Sequence, residues 1–165
     1  MLTDIDPFTA TAAQLLSVVV DMEPGPFALS ILLMVDRASL GPEDAVTFLQ
    51  VHERITSWWA SVQTEALVAA AGDTARVDEF WLQVPGNDEQ RRIRIEDAAR
   101  EEVAAAVRWA PATTQARIDS ARLLAGPLRD TWDALALGEI STGHVSVIVE
   151  AARRFDGAWA DTGPD

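Results

Sequence analysis

His52, Asn87 and His144 are the side chains here with the types a metal-dependent nuclease uses, and they occur in the order His, Asn, His. That chemistry needs two imidazoles and an amide or third imidazole close together on a β-hairpin and helix, around one divalent ion. The sequence around His52 reads as the middle of a long helix, His144 opens another, and nothing between them signals a hairpin. No metal site is expected, and no cofactor. His52 instead reads as a partly exposed helix residue beside Glu53, and His144, three residues after Ser141, as a cap or interface residue.

Other catalytic signatures are missing. There is no G-x-S-x-G, no H-E-x-x-H and no glycine-rich phosphate loop. Adjacent acids such as Glu101-Glu102 point to different sides of a helix and cannot share a substrate. All thirteen basic residues are arginine; lysine and cysteine are absent. This excludes a P-loop, a Schiff-base lysine, a disulfide and a cysteine nucleophile. No enzyme is expected on this chain.

The residues that could read a ligand lie in "REEVAAAVRWAPATTQARIDSARLLAG", Arg100 to Gly126. Ala104 to Ala106 offer a small packing surface, Ala110-Pro111 a turn, and Thr113, Thr114, Gln115 and Arg117 the front of a second helix. In a helix-turn-helix that front meets base edges, and Gln and Arg match adenine and guanine edges. Against this, Arg108 stands where a glycine-like turn residue is usual, and Ile118, Ala121 and Ala125 could serve any helical hairpin. The chain carries a formal net charge of −13. From Arg91 to Asp130, however, eight arginines meet six acids, a balance of +2 that leaves −15 for the rest. Only Arg91, Arg92 and Arg94 form a dense basic cluster.

The elements that must position these residues are all helical. At 165 residues, with 48% hydrophobic content, the chain suits one core and one domain. A first helix lies in "PFTATAAQLLSVVVDM", and a second runs from Phe27 to about Arg37. A long amphipathic helix starts at Pro42 and stops at Gly72, with Phe48, Val51, Ile55, Trp58, Trp59, Val62, Ala66 and Ala69 at three-to-four spacing. Asp73 to Arg94 reads as a loop, with at most one turn of structure in "EFWLQV" and an alternating "RRIRI" lead-in. Helices then follow over Glu96–Arg108, Thr113–Leu124, and from Pro127 to Gly138, and Ser141 caps a last one. The expected fold is all-α: a single multi-helix bundle-like domain over residues 1–155, with one long central helix and a helix-turn-helix-like pair near 96–124. Residues 156–165 read as a linker or disordered tail.

The amino terminus is acidic where a secretory signal needs a basic start. The longest apolar run, Phe27 to Val35, is about half a membrane span. A cytoplasmic protein without membrane contact is expected. Trp58 and Trp59 are adjacent and cannot both face one core, so one of them is a candidate partner contact in a homo-oligomer or with another protein.

The segment from Arg100 to Ala152 resembles the core of the actinobacterial domain-of-unknown-function family 222, the 13E12 repeat family. The family's helix of the "E-hydrophobic-A-x-A-L" kind matches Glu102 to Val107, and its Ser/Ala-Pro turn matches Ala110-Pro111. Its "A-R-x-L" helix matches Ala121 to Leu124, its "A-L-x-x-G-x-I" turn Leu135 to Ile140, and its "I-x-E-A" helix Val145 to Ala151. The likeness covers roughly residues 27 to 155. It implies a helical domain of the kind that commonly precedes an HNH nuclease domain, hence a DNA-associated setting, with no nuclease domain among these residues. Ala110 departs from the family's common turn serine, which removes a helix N-cap. Three roles follow as expectations. The first is a non-catalytic, DNA-associated helical domain using Arg91, Arg92, Arg94, Thr113, Thr114, Gln115 and Arg117. The second is a protein-interaction or dimerisation module using Trp58 and Trp59. The third is an acidic DNA mimic.

Overall fold

The computed structural model describes residues 9–72 and 86–160. The chain is all-α: among the described residues there are seven α-helices and one 3-10 turn, and no strand. The helices are α1 (Ala12–Val19), α2 (Pro26–Met34), α3 (Pro42–Ala71), α4 (Asp88–Val107), α5 (Pro111–Ala125), α6 (Arg129–Ala136) and α7 (Thr142–Ala160), with the 3-10 turn at Arg37–Ser39. No helix among the described residues is long and apolar enough to cross a membrane.

Several helix starts follow side-chain caps. Thr11 caps α1 reciprocally with Gln14, and Asp36 accepts the Ala38 N–H at 3.0 Å to start the 3-10 turn. Pro42, Glu43 and Asp44 open α3, where a fixed φ and negative charge both suit the first turn. The expectation that α4 begins at Glu96 is corrected. It begins at Asp88, because Asn87 Oδ1 accepts the Gln90 N–H at 2.8 Å while Gln90 Oε1 accepts the Asn87 N–H at 3.2 Å. Arg91, Arg92 and Arg94 therefore lie within a helix and not in a lead-in. At the other end α7 continues to Ala160, so Asp156–Ala160 is helix and not tail. The "EFWLQV" segment lies outside the described residues.

The chain groups into two compact units, Met1–Ser61 with Asp133–Asp165, and Val62–Trp132. In the first, α1 packs on α2. Leu15, Leu16 and Val19, then Ala28, Ile31, Leu32 and Val35, join Val51 and Ile55 of α3 in one apolar core. Each Leu, Ile and Val side chain among them contributes about 1.5–3 kcal/mol by leaving water. Arg54 of α3 donates to the Val20 and Met22 carbonyls at 2.7 and 3.2 Å, satisfying acceptors that the end of α1 leaves open. Gly138 lies after α6 at φ +69°, and a Cβ there would come 2.9 Å from the Arg54 carbonyl oxygen. Only glycine admits both that backbone and that approach.

In the second unit α4 packs on α5. Val103 and Ala104 are buried from α4, and Thr114, Ile118, Ala121 and Leu124 from α5. Arg122 donates to the carbonyls of Gly72 and Ala71, at 3.2 and 3.4 Å, where α3 ends.

Candidate functional site

A short turn, Arg108 to Ala110, joins the helix pair α4–α5. Arg108 ends α4 in the left-handed region, at φ 57° and ψ 39°, and the Trp109 N–H reaches back to the Ala104 carbonyl at 3.1 Å. This is the closure a glycine usually makes. Ala110 then precedes α5 without any side-chain cap, and Pro111 takes the first helical position.

The front of α5 is largely committed to the protein itself. Thr114 is fully buried, its hydroxyl donating to the Ala110 carbonyl at 3.1 Å, which removes it from any contact surface. Arg117 donates to Gln63 Oε1 at 3.1 Å, and its guanidinium carbon lies 4.2 Å from the centre of the Trp109 ring. That cation–π contact holds the charge against the protein. Gln115 donates to Asp119 at 2.8 Å. Thr113 alone of the four is exposed with no such tie.

The basic balance of this region is spent in the same way. Arg100 pairs with Asp97 at 2.8 Å and Glu101 at 3.1 Å. The hydrogen bond it donates to Glu101, more than the charge of Asp97, raises its already high pKa. Arg122 holds carbonyls, and Arg129 sits over Trp132 at 4.4 Å. Four of the eight arginines between Arg91 and Asp130 thus have protein partners. The side chains of Arg91, Arg92 and Arg94 lie outside the description.

The first unit carries exposed apolar side chains around a cleft. This cleft, of about 340 Å³ between α2 and α3, is lined by Leu29, Leu33, Phe48, Ile55 and Trp59, with Arg37 and His52 also on its wall. Trp58 packs against the core, while Trp59 is 59% exposed, the two rings meeting at 5.6 Å and 52°. Phe27, Leu33 and Met34 of α2 are exposed as well. The sequence carried a signal for this cleft. "PFALSILLM" of α2 is apolar on nearly every side, so one neighbouring core cannot cover it.

The three metal-type residues serve elsewhere. Asn87 caps α4. His144 stands at the third position of α7, its Nδ1 3.2 Å from the Ser141 N–H and 3.0 Å from the Ser141 hydroxyl, a capping box with imidazole in place of a carboxylate or amide. His52 stacks on Phe48 at 6.4 Å, with Glu53 at 3.8 Å. Among the described residues no group of three histidine or acidic side chains is placed to hold a metal. No family model, no curated protein and no solved structure matches the chain.

Proposed function

We propose that the chain is a non-catalytic helical docking domain that binds a protein partner through the α2–α3 cleft of its first unit, in the cytoplasm. One observation carries the reading. Large apolar side chains around that cleft, Leu33 and Trp59 foremost, stand in solvent, and contiguous exposed apolar surface of this kind marks protein contacts. The resemblance to the 13E12 repeat family adds the setting, a partner or neighbouring domain that acts on DNA.

A second reading, direct duplex contact by α4–α5, rests on the left-handed turn at Arg108, the exposed Thr113 and the position of Arg91, Arg92 and Arg94 in the first turns of α4. One experiment separates the two. Fluorescence anisotropy of a labelled mixed-sequence duplex is measured from low to moderate salt, with Arg91→Ala/Arg92→Ala and Arg117→Ala variants alongside. Affinity capture from cell extract compares wild type with Leu33→Ser/Trp59→Ser. Docking predicts no salt-sensitive duplex binding, and a captured protein that the double variant loses while keeping its helicity. Duplex binding that weakens with salt, and weakens further in the arginine variants, would replace it with the DNA reading.

A further inference from the structure

A second apolar surface, separate from the cleft, runs along α7. Val147 is 70% exposed and Phe155 76%, with exposed Ala151 between them. At 3.6 residues per turn these three recur on one face, while the buried Val145 and Val149 occupy the opposite one. Glu150 and Arg154 flank the stripe on one side, joined by bonds of 3.2 and 3.1 Å.

We propose that this face is a two-fold contact between two copies of the chain, with the α7 helices antiparallel and crossing at Ala151. The position of the charges selects this partner and this direction. A two-fold axis at Ala151 sets Val147 against Phe155 of the partner subunit, the bulky ends facing each other and the small residue at the crossing, where helix axes come closest. An antiparallel two-fold also turns the same flank of both helices together. Arg154 then lies about 3 Å along the axis from Glu150 of the partner subunit, at 1.5 Å rise per residue. Two crossed ion pairs join the two within each helix, and the face is complementary to itself. A parallel pair would set the Glu150–Arg154 flank against the half-buried apolar flank of Ile148 and Ala152, with no opposite charge to meet. The stripe is short beside the roughly 1,200–2,000 Å² of a standard interface, so the dimer is weak and depends on concentration. The inference is independent of the docking reading, since it uses none of the cleft residues.

Sedimentation equilibrium over a range of concentrations tests the dimer, and cysteine cross-linking tests its direction, because the chain has no cysteine of its own. The weight-average mass is expected to rise from 17.9 kDa toward twice that value. Phe155→Glu should raise the dissociation constant roughly tenfold or more. Glu150→Arg should weaken the dimer, and Glu150→Arg/Arg154→Glu should restore it, since the exchange keeps the crossed pairs. Ala151→Cys should cross-link to itself, whereas Val147→Cys should cross-link only when mixed with Phe155→Cys. Three results would each overturn the proposal: a monomer at every concentration, a dimer indifferent to Phe155→Glu, or Val147→Cys that links to itself as readily as the mixture does. The cysteine pairs decide the matter even if Phe155→Glu were to unfold.

Discussion

In the unit formed by Met1–Ser61 and Asp133–Asp165, large apolar side chains such as Leu33, Trp59, Val147 and Phe155 face solvent, and Arg54 is spent on the end of α1. In Val62–Trp132 the exposed large apolar side chains among the described residues are only Ile93 and Val107, while Arg100, Arg117, Arg122 and Arg129 fold onto acids, rings and carbonyls. The difference shows why a charge count is a poor guide to binding. A local balance of +2 becomes a contact surface only if the guanidiniums are not already paired, and here internal partners hold four of them. Apolar residues behave oppositely. Once a helix has more apolar faces than its neighbours can cover, the excess must stay in water or find a partner.

The strongest way to break this comparison is to disturb the first unit alone. Gly138→Ala combines a left-handed backbone with a Cβ 2.9 Å from the Arg54 carbonyl oxygen, and that obstacle is backbone, which cannot swing away. A loss of about 3 kcal/mol or more is expected. Urea unfolding gives the total. Hydrogen exchange read by mass spectrometry gives its location, with protection falling in α1 and α2 and kept in α4 and α5. Equal loss in both would mean that the units do not respond separately.

Next come the two arginines that finish helices, one in each unit. Arg54 makes bonds of 2.7 and 3.2 Å, Arg122 bonds of 3.2 and 3.4 Å, all to partly buried carbonyls. Bonds from a charged donor stabilise by roughly 1.5–3 kcal/mol, so Arg54→Ala should lose about 2–3 kcal/mol and Arg122→Ala, with its longer bonds, about 1–2 kcal/mol. Shifts in urea midpoint at constant m-value check the order. If Arg122→Ala cost nothing while duplex binding fell, Arg122 would belong to a ligand surface and not to the scaffold.

Much of the fold was legible because it rests on local chemistry. Apolar spacing from Phe48 to Ala69 and the signals Pro42 and Gly72 bound α3 closely. The start of α4 was legible too, in Asn87-Asp88-Glu89-Gln90, but the alternation of "RRIRI" obscured it by suggesting an extended lead-in. The site was less legible, for a physical reason. Whether Arg117 faces a base or Trp109 depends on where Gln63 and Trp109 come to rest, and both are fixed by packing between elements. Thr114 illustrates the same point. A threonine near a helix start fits either a polar front or a buried back-bond to the preceding turn, and only the seating of α5 on α4 decides. For Trp58 and Trp59 adjacency alone implied that one must leave the core, and Trp59 is the one that does.

The smallest effect sharpens the comparison most directly, because it changes the front of α5 without touching a charge. Ala110 occupies the cap position at φ −64° and ψ 140°, the extended geometry a capping residue needs, yet it has no side-chain oxygen to offer the open N–H groups of the first turn. Ala110→Ser supplies that oxygen, and the gain expected is about 1 kcal/mol in unfolding free energy, measured in urea. The charges on α4 and α5 are unchanged, so a surface committed to internal contacts should show no new affinity for duplex DNA in the stabilised variant. Should the serine variant bind a duplex that wild type ignores, the limit on this helix pair would be a frayed turn and not the engagement of Arg117. The second unit would then count as a reader held back by one missing hydroxyl.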